Sequence, residues 1–255
     1  MKGFKLAAGR VALVLSMMLA SPAGVSAADF VDFSKSDKLI EVDVHAFGGA
    51  GSVTQNYKKL FPQIRNLNVN MGGSGGLGFR AVFGLRNYLG FGTSLDVTMN
   101  TYNMDMTVMG SDNASMSALF IDNRAYYVNI PVFVSFRFNV AENVRWSVDG
   151  GFYYAYGFAG SQKQRIYRAD TNAMGELVAQ TQSVKTGYFH SPSTFINAFN
   201  RGDLGLHLAT YVNFGPHLVV GAKYQYGVKN ISRPLGVENP SIHNHYLHGV
   251  VGYRF

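Results

Sequence analysis

Three short stretches carry residue types that could do chemistry. Gly73-Ser-Gly75-Gly-Leu-Gly78 satisfies G-x-G-x-x-G, in which glycines let a backbone close on a phosphate at a helix N-terminus. That chemistry needs a helix after the glycines, and Phe79-Arg-Ala-Val-Phe83 continues as a strand instead, so they are read as space-makers in a packed sheet. His243, His245 and His248 could ligate a metal. In extended chain, however, the first two face one way and the third the other, and the nearest carboxylate is Glu238 in the same loop. His190-Ser191 and Ser193 offer a base and a nucleophile for an esterase or lipid A deacylase, but no acid orients the base and Pro192 breaks the loop. No catalytic, metal or cofactor site is therefore assigned.

A fourth set is larger and regular. Glu41, Asp43, Asp96, Asp149 and Asp203 fall on the same alternating positions as Arg80, Arg137, Arg145, Lys223 and Arg254, with His45, His207 and His248. Acids and bases in equal number read as a self-neutralising network. Each member must find a partner, because a half-satisfied buried network is costly. Glu41 or Asp43 is expected to pair with Arg254 or Arg80 where the last strand meets the first.

The elements that position these charges are strands of period two, expected over 40–47, 74–83, 88–102, 124–138, 144–158, 201–214, 218–228 and 245–255. Their connections alternate long and short throughout, and the short ones (84–87, 139–143 and 215–217) carry turn residues. Such alternation is that of an up-and-down meander whose ends face different compartments. On the fourth strand Tyr126, Val128, Ile130, Val132, Val134, Phe136 and Phe138 share one face; Asn129, Ser135 and Arg137 are on the other. The apolar rows hold no charge and gather aromatics such as Phe138, Trp146, Phe158 and Phe214 toward strand ends. In a soluble barrel that wall would line the cavity; in a membrane barrel it would meet lipid. The opposite face is rich in Gly, Ala and Ser, which suits a narrow filled lumen better than a water-facing surface. The expected fold is all-β: an eight-stranded antiparallel up-and-down transmembrane β-barrel with long extracellular loops.

Bulk properties agree. The chain has 255 residues, 47% hydrophobic and only 15% charged, with no cysteine. Lys2, Lys5 and Arg10 precede a short apolar run and the small residues Val25-Ser26-Ala27, the pattern of a cleaved signal peptide over 1–27. A periplasmic tail over 28–38 and the barrel over 39–255 follow. Losing three basic residues takes the formal charge from +7 to +4, which with export argues against a nucleic-acid partner. Lys58, Lys59 and Arg65 make the first long loop basic; Asp105, Asp112 and Asp122 make the second acidic; Lys163, Arg165, Arg168 and Lys185 outnumber Asp170 and Glu176 in the third. Basic loops could touch lipopolysaccharide phosphates or simply be solvated.

YVNIPVFVSFRF (Tyr127–Phe138), RGDLGLHLATYVNFG (Arg201–Gly215), AKYQYGVKNIS (Ala222–Ser232) and the terminal VVGYRF resemble Bacteroidota-type outer-membrane β-barrel proteins of the PorT-like group. The resemblance implies export, insertion in the outer membrane of a Gram-negative bacterium and an eight-stranded barrel, and supplies no catalytic motif. Val251, Tyr253 and Phe255 match the C-terminal signal read by the barrel-assembly machinery in such proteins. The implied role is non-enzymatic, at the cell surface through long loops. Alternatives are a component of a protein secretion apparatus, as for some members of that group, a small-solute pore, or a lipid-modifying enzyme.

Overall fold

The computed structural model describes residues 30–110, 115–171, 174, 176–189, 199–234 and 240–255. The expected signal peptide lies outside them, as do His190, Ser191, Ser193 and Glu238. The strands are β1 (Ile40–Gln55), β2 (Ile64–Arg86), β3 (Leu89–Met109), β4 (Met116–Ala141), β5 (Val144–Thr171), β6 (Leu177–Gly187), β7 (Gly202–Phe214), β8 (Leu218–Gly227) and β9 (Ile242–Arg254); one helical turn, α1 (Tyr57–Leu60), follows β1.

All pairings are antiparallel. Each strand joins its neighbour in sequence, except that β5 pairs with β7 along its first half and with β6 along its second. β9 returns to β1 over a register running from Asp43↔Arg254 to Gln55↔Ile242. With β6 outside it, the ring is eight-stranded and closed. In hydrocarbon every backbone N–H and C=O must be paired inside the protein, and closure leaves no edge to violate this. That closure fixes the chain's last residues.

The strands are more numerous and longer than the alternation predicts. β6 lies in a stretch expected to be loop, and β2 to β5 run to 23, 21, 26 and 28 residues. The loops expected over 48–73, 103–123 and 159–200 shrink accordingly. The cause is physical: a period-two apolar signal exists only where one face is buried in lipid or core. Residues 178–187 of β6 are exposed or half-buried on both faces, so its few apolar residues, Val178, Ala179 and Val184, form no row on either side.

Tight turns at 87–88, 142–143 and 215–217 mark one end of the barrel. Gly215 takes φ 58° there, a left-handed conformation that other residues adopt only with strain. The tail folds back against the same end: Phe30 stacks on Phe138 at 5.1 Å, Phe33 contacts Tyr88 at 5.1 Å, and Asn87 donates to Asp32, Ser34 and Asp37. The Ser34 hydroxyl and amide, with Asn87, hold the Asp32 carboxyl below the ordinary carboxylate range.

Outward rows are the predicted apolar ones: Val251 is 57% exposed, Leu208 54% and Phe152 65%. Such exposure would be a severe aggregation liability in water and is ordinary in acyl chains. Between Tyr126 and Tyr127 the β4–β5 register slips opposite Gly157–Ala159. This bulge leaves Phe158 and Ala159 both outward and turns Gln162 and Gln164 inward. Above it the outward face of β2 to β5 changes to Asn68, Asn70, Asn103, Asp105, Arg124 and Lys163. The lipid belt ends at that change.

Arginine in place of outward Leu208, midway along β7, should lower the unfolding free energy in lipid vesicles by about 2–4 kcal/mol. Gln182→Arg on β6 should change it by less than about 0.5 kcal/mol. Urea titration followed by gel mobility measures both; equal effects would contradict the belt.

Candidate functional site

The lumen is layered. Nearest the short turns, Glu41 on β1 accepts from three guanidiniums: Arg137 on β4 and Arg145 on β5, each at 3.0 Å, and Arg254 on β9 at 3.2 Å. Arg254 also donates to Asn213 on β7 at 2.7 Å. One carboxylate thereby ties five strands across the barrel floor.

A step deeper, Arg80 on β2 bridges Asp43 at 3.0 Å and Asp149 at 2.7 Å, its guanidinium packed against the rings of Tyr211 and Phe133. His45 spans Asp43 (3.3 Å) and Asp96 (3.2 Å). Both ring nitrogens face carboxylate oxygens, which only accept, so the geometry suits a doubly protonated imidazolium. Lys223 on β8 donates to Asp96 at 2.6 Å and sits over the Phe47 ring. Gly78 makes room for this layer: a Cβ there would collide with Asp96 Oδ1 and the His45 ring. Among the described residues, the glycines of 73–78 lie in β2 with strand on both sides and no helix to receive a phosphate.

Asp203 departs from the expected network. It bonds no base; it accepts from the Tyr153 hydroxyl at 3.0 Å and the Asn244 amide at 2.9 Å. The other four acids therefore segregate. Glu41 alone meets three arginines, while Asp43, Asp96 and Asp149 share Arg80, Lys223 and His45. Neutral amides occupy the layer above, with Asn129 donating to Gln225 at 2.7 Å and Gln225 next to His207 at 3.2 Å.

The half of the lumen nearer the long connections is closed by an apolar plug. Tyr102, Met104, Leu119, Ile121 and Tyr127 face inward from β3 and β4 and meet Tyr57 of α1, Tyr188, Phe189, Phe199 and Ile231 from the connections. Tyr188 stacks on Phe199 at 4.2 Å and its hydroxyl meets that of Tyr102 at 2.9 Å. Of these, the alternation of the fourth strand places only Tyr127 inward; nothing in it assigns Tyr57, Tyr188, Phe189, Phe199 or Ile231. Their signal was available, since Tyr188, Phe189 and Phe199 are large apolar side chains in connections that lipid does not reach.

At the other end a cavity of about 950 Å³ opens beneath Glu41, lined by the tail and by Asn87, Glu142, Arg145, Asn213 and Arg254. Of the histidine motif, His248 points inward, while His243 and His245 sit outward beside Tyr226; no metal-holding group occurs among the described residues. His248 accepts from or donates to Ser74 at 2.7 Å. This is a nucleophile–base contact, but His248 Nδ1 has no partner and the pair is buried, so the orienting acid of a triad is missing. Val251, Tyr253 and Phe255 all face outward, Tyr253 stacked on His217 at 4.8 Å.

A family model, outer membrane protein beta-barrel domain, matches residues 28–233. The chain belongs to that family. The resemblance to outer-membrane barrels thus holds at the level of this family, and in its members the tight turns face the periplasm and the long connections the exterior. No curated protein matches the sequence. Among solved structures, the chain is similar to Ail, the attachment invasion locus protein of Yersinia pestis, in complex with the heparin analogue sucrose octasulfate (13% identity, 86% of this chain and 100% of that one, TM-score 0.36). Neisserial surface protein A (11%, 86% and 98%, 0.32) and OprG of Pseudomonas aeruginosa (9%, 85% and 94%, 0.31) are also similar.

Glu41→Gln should destabilise the barrel by about 3–5 kcal/mol, because it leaves three guanidiniums around a neutral amide. Arg145→Gln should cost no more than about 1 kcal/mol, since Arg145 is a third exposed and Glu41 keeps two partners. Urea unfolding of the inserted protein separates the two; equal costs would mean that Glu41 does not organise the floor.

Proposed function

We propose that this outer-membrane barrel is a non-conducting, non-enzymatic anchor that holds a β-sheet above the membrane for contact with macromolecules at the cell surface. One observation carries the reading: β2 to β6 continue past the lipid belt as a hydrogen-bonded sheet whose outward face is mostly polar, with Phe120 and Tyr167 packed edge to face within it. About 9–11 residues suffice for a strand to cross a bilayer, and β5 has 28. The surplus is ordered sheet, which costs ordering entropy and serves no purpose within the membrane. The charged floor and the apolar plug support a closed lumen, against the small-solute pore. Lipid modification has no support in the Ser74–His248 pair, which is buried without an acid. Assembly would proceed through the outward Tyr253 and Phe255, offered to the barrel-assembly machinery.

The secretion-apparatus reading, PorT-like in kind, is favoured by a separate feature: the periplasmic cavity beneath Glu41, walled by a folded tail, is where a periplasmic component could seat. Co-purification from crosslinked cells distinguishes it.

In planar bilayers the wild-type protein should give no steady conductance. A photo-crosslinker at Gln182 should capture surface macromolecules, and one at Leu208 lipid alone. Stable channels, or capture at neither position, would overturn the anchor reading.

A further inference from the structure

Outward charges are unevenly spread at the upper rim of the lipid belt. On β4, β5 and β6 the outward face carries Arg124, Lys163 and Lys185, all exposed. Lys163 and Lys185 are direct cross-strand partners, an arrangement in which like charges repel at about 4.5–5.5 Å between Cβ atoms. Arg124 pairs with Ser161, and Ser161 with Gly187, so the three cations surround a floor of two small residues. Among the described residues none of the three makes an ion pair or side-chain hydrogen bond. Among the described residues of β4 to β6, the one carboxylate on this face is Asp122, opposite Lys163, and it is engaged by Arg165 at 3.4 Å; Asp105, on β3 beyond it, accepts from Asn70 at 2.9 Å. Counting Arg124, Lys163, Arg165 and Lys185 against Asp122, the patch is +3. Arg201, the next cation along the rim, is already committed to the carbonyls of Gly157 and Phe158.

Directly below lie Tyr126 and Phe158, their rings 6.2 Å apart, and then Tyr156 and Tyr154 facing lipid. Uncompensated cations above an aromatic ledge, at the level where acyl chains end, match a ligand with anionic groups on top and hydrocarbon beneath.

We propose that Arg124, Lys163 and Lys185 form a binding site for the phosphates of a phosphorylated glycolipid of the outer leaflet, whose acyl chains lie along Tyr126, Phe158 and Tyr156. A phosphate over the Ser161–Gly187 floor accepts from both lysines and relieves their repulsion. Arg124 holds the same or a second phosphate from the side. The site anchors the β5–β6 hairpin to the membrane surface.

The test is native mass spectrometry of the folded full-length barrel in detergent, with bisphosphorylated hexa-acyl lipid A and with the same lipid stripped of phosphate. The wild type should retain the phosphorylated lipid and not the stripped one. The double variant Lys163→Gln/Lys185→Gln should lose about tenfold or more of that retention, with an unchanged gel mobility shift. Lys58→Gln/Lys59→Gln, which removes two exposed cations within α1, should retain lipid as the wild type does. Equal retention of the stripped lipid, wild-type retention by the Lys163/Lys185 variant, or equal loss in the Lys58/Lys59 variant would each overturn the site.

Discussion

An unpaired amide or carbonyl in hydrocarbon costs several kcal/mol, and the structure follows from that cost. The sheet must close, so β9 must reach β1 and pair to its last residues. Closure of eight strands fixes a lumen just wide enough for side chains. The same alternation that places Leu204, Leu206 and Leu208 against lipid then sends Asp203, Gly205 and His207 inward. Sidedness, narrowness and the absence of free edges in the belt are one constraint seen three ways. Cysteine can be dispensed with because the ring already restrains both ends of the domain.

Filling a narrow lumen with charge is hazardous unless every group finds a partner, and the barrel handles this by sorting. Glu41 gathers three arginines next to periplasmic water, where surplus positive charge is tolerable. Deeper in, Arg80, His45 and Lys223 match three aspartates. Above them come neutral amides, then Asp203 held by hydroxyl and amide donors, then aromatic and aliphatic side chains. Polarity falls from the periplasmic mouth toward the plug. The extracellular end can therefore be sealed by loop residues such as Phe189 and Phe199 without burying a charge there.

What the sequence revealed and what it concealed divide along this same line. The rows facing lipid were legible because a bilayer forbids charge on them, and the inward charges because they occupy the remaining positions. The eight ring strands followed. β6 was hidden because neither of its faces is buried, and the upper reaches of β2 and β3 because the apolar row changes sides there: Leu67, Val69, Met104 and Met106 turn inward to the plug while Asn68, Asn70, Asn103 and Asp105 turn outward. Asp203 was misassigned for another reason. Counting acids against bases ignores register, and only the positions of Tyr153 on β5 and Asn244 on β9 show that it has non-ionic partners. The grouping of three arginines on Glu41 is equally a matter of register across the lumen.

The barrel's orientation in the membrane is decided by which way the uncharged rows point. Because the chain contains no cysteine, single cysteines at Leu206, Leu208 and, as a reference, Gln182 can each carry a nitroxide in lipid vesicles. Collision rates with oxygen and with a water-soluble nickel chelate then report the surroundings of each position. Oxygen should dominate at 206 and 208, and the chelate at 182. Preference for the chelate at 206 and 208 would place those rows in water and contradict the barrel's orientation.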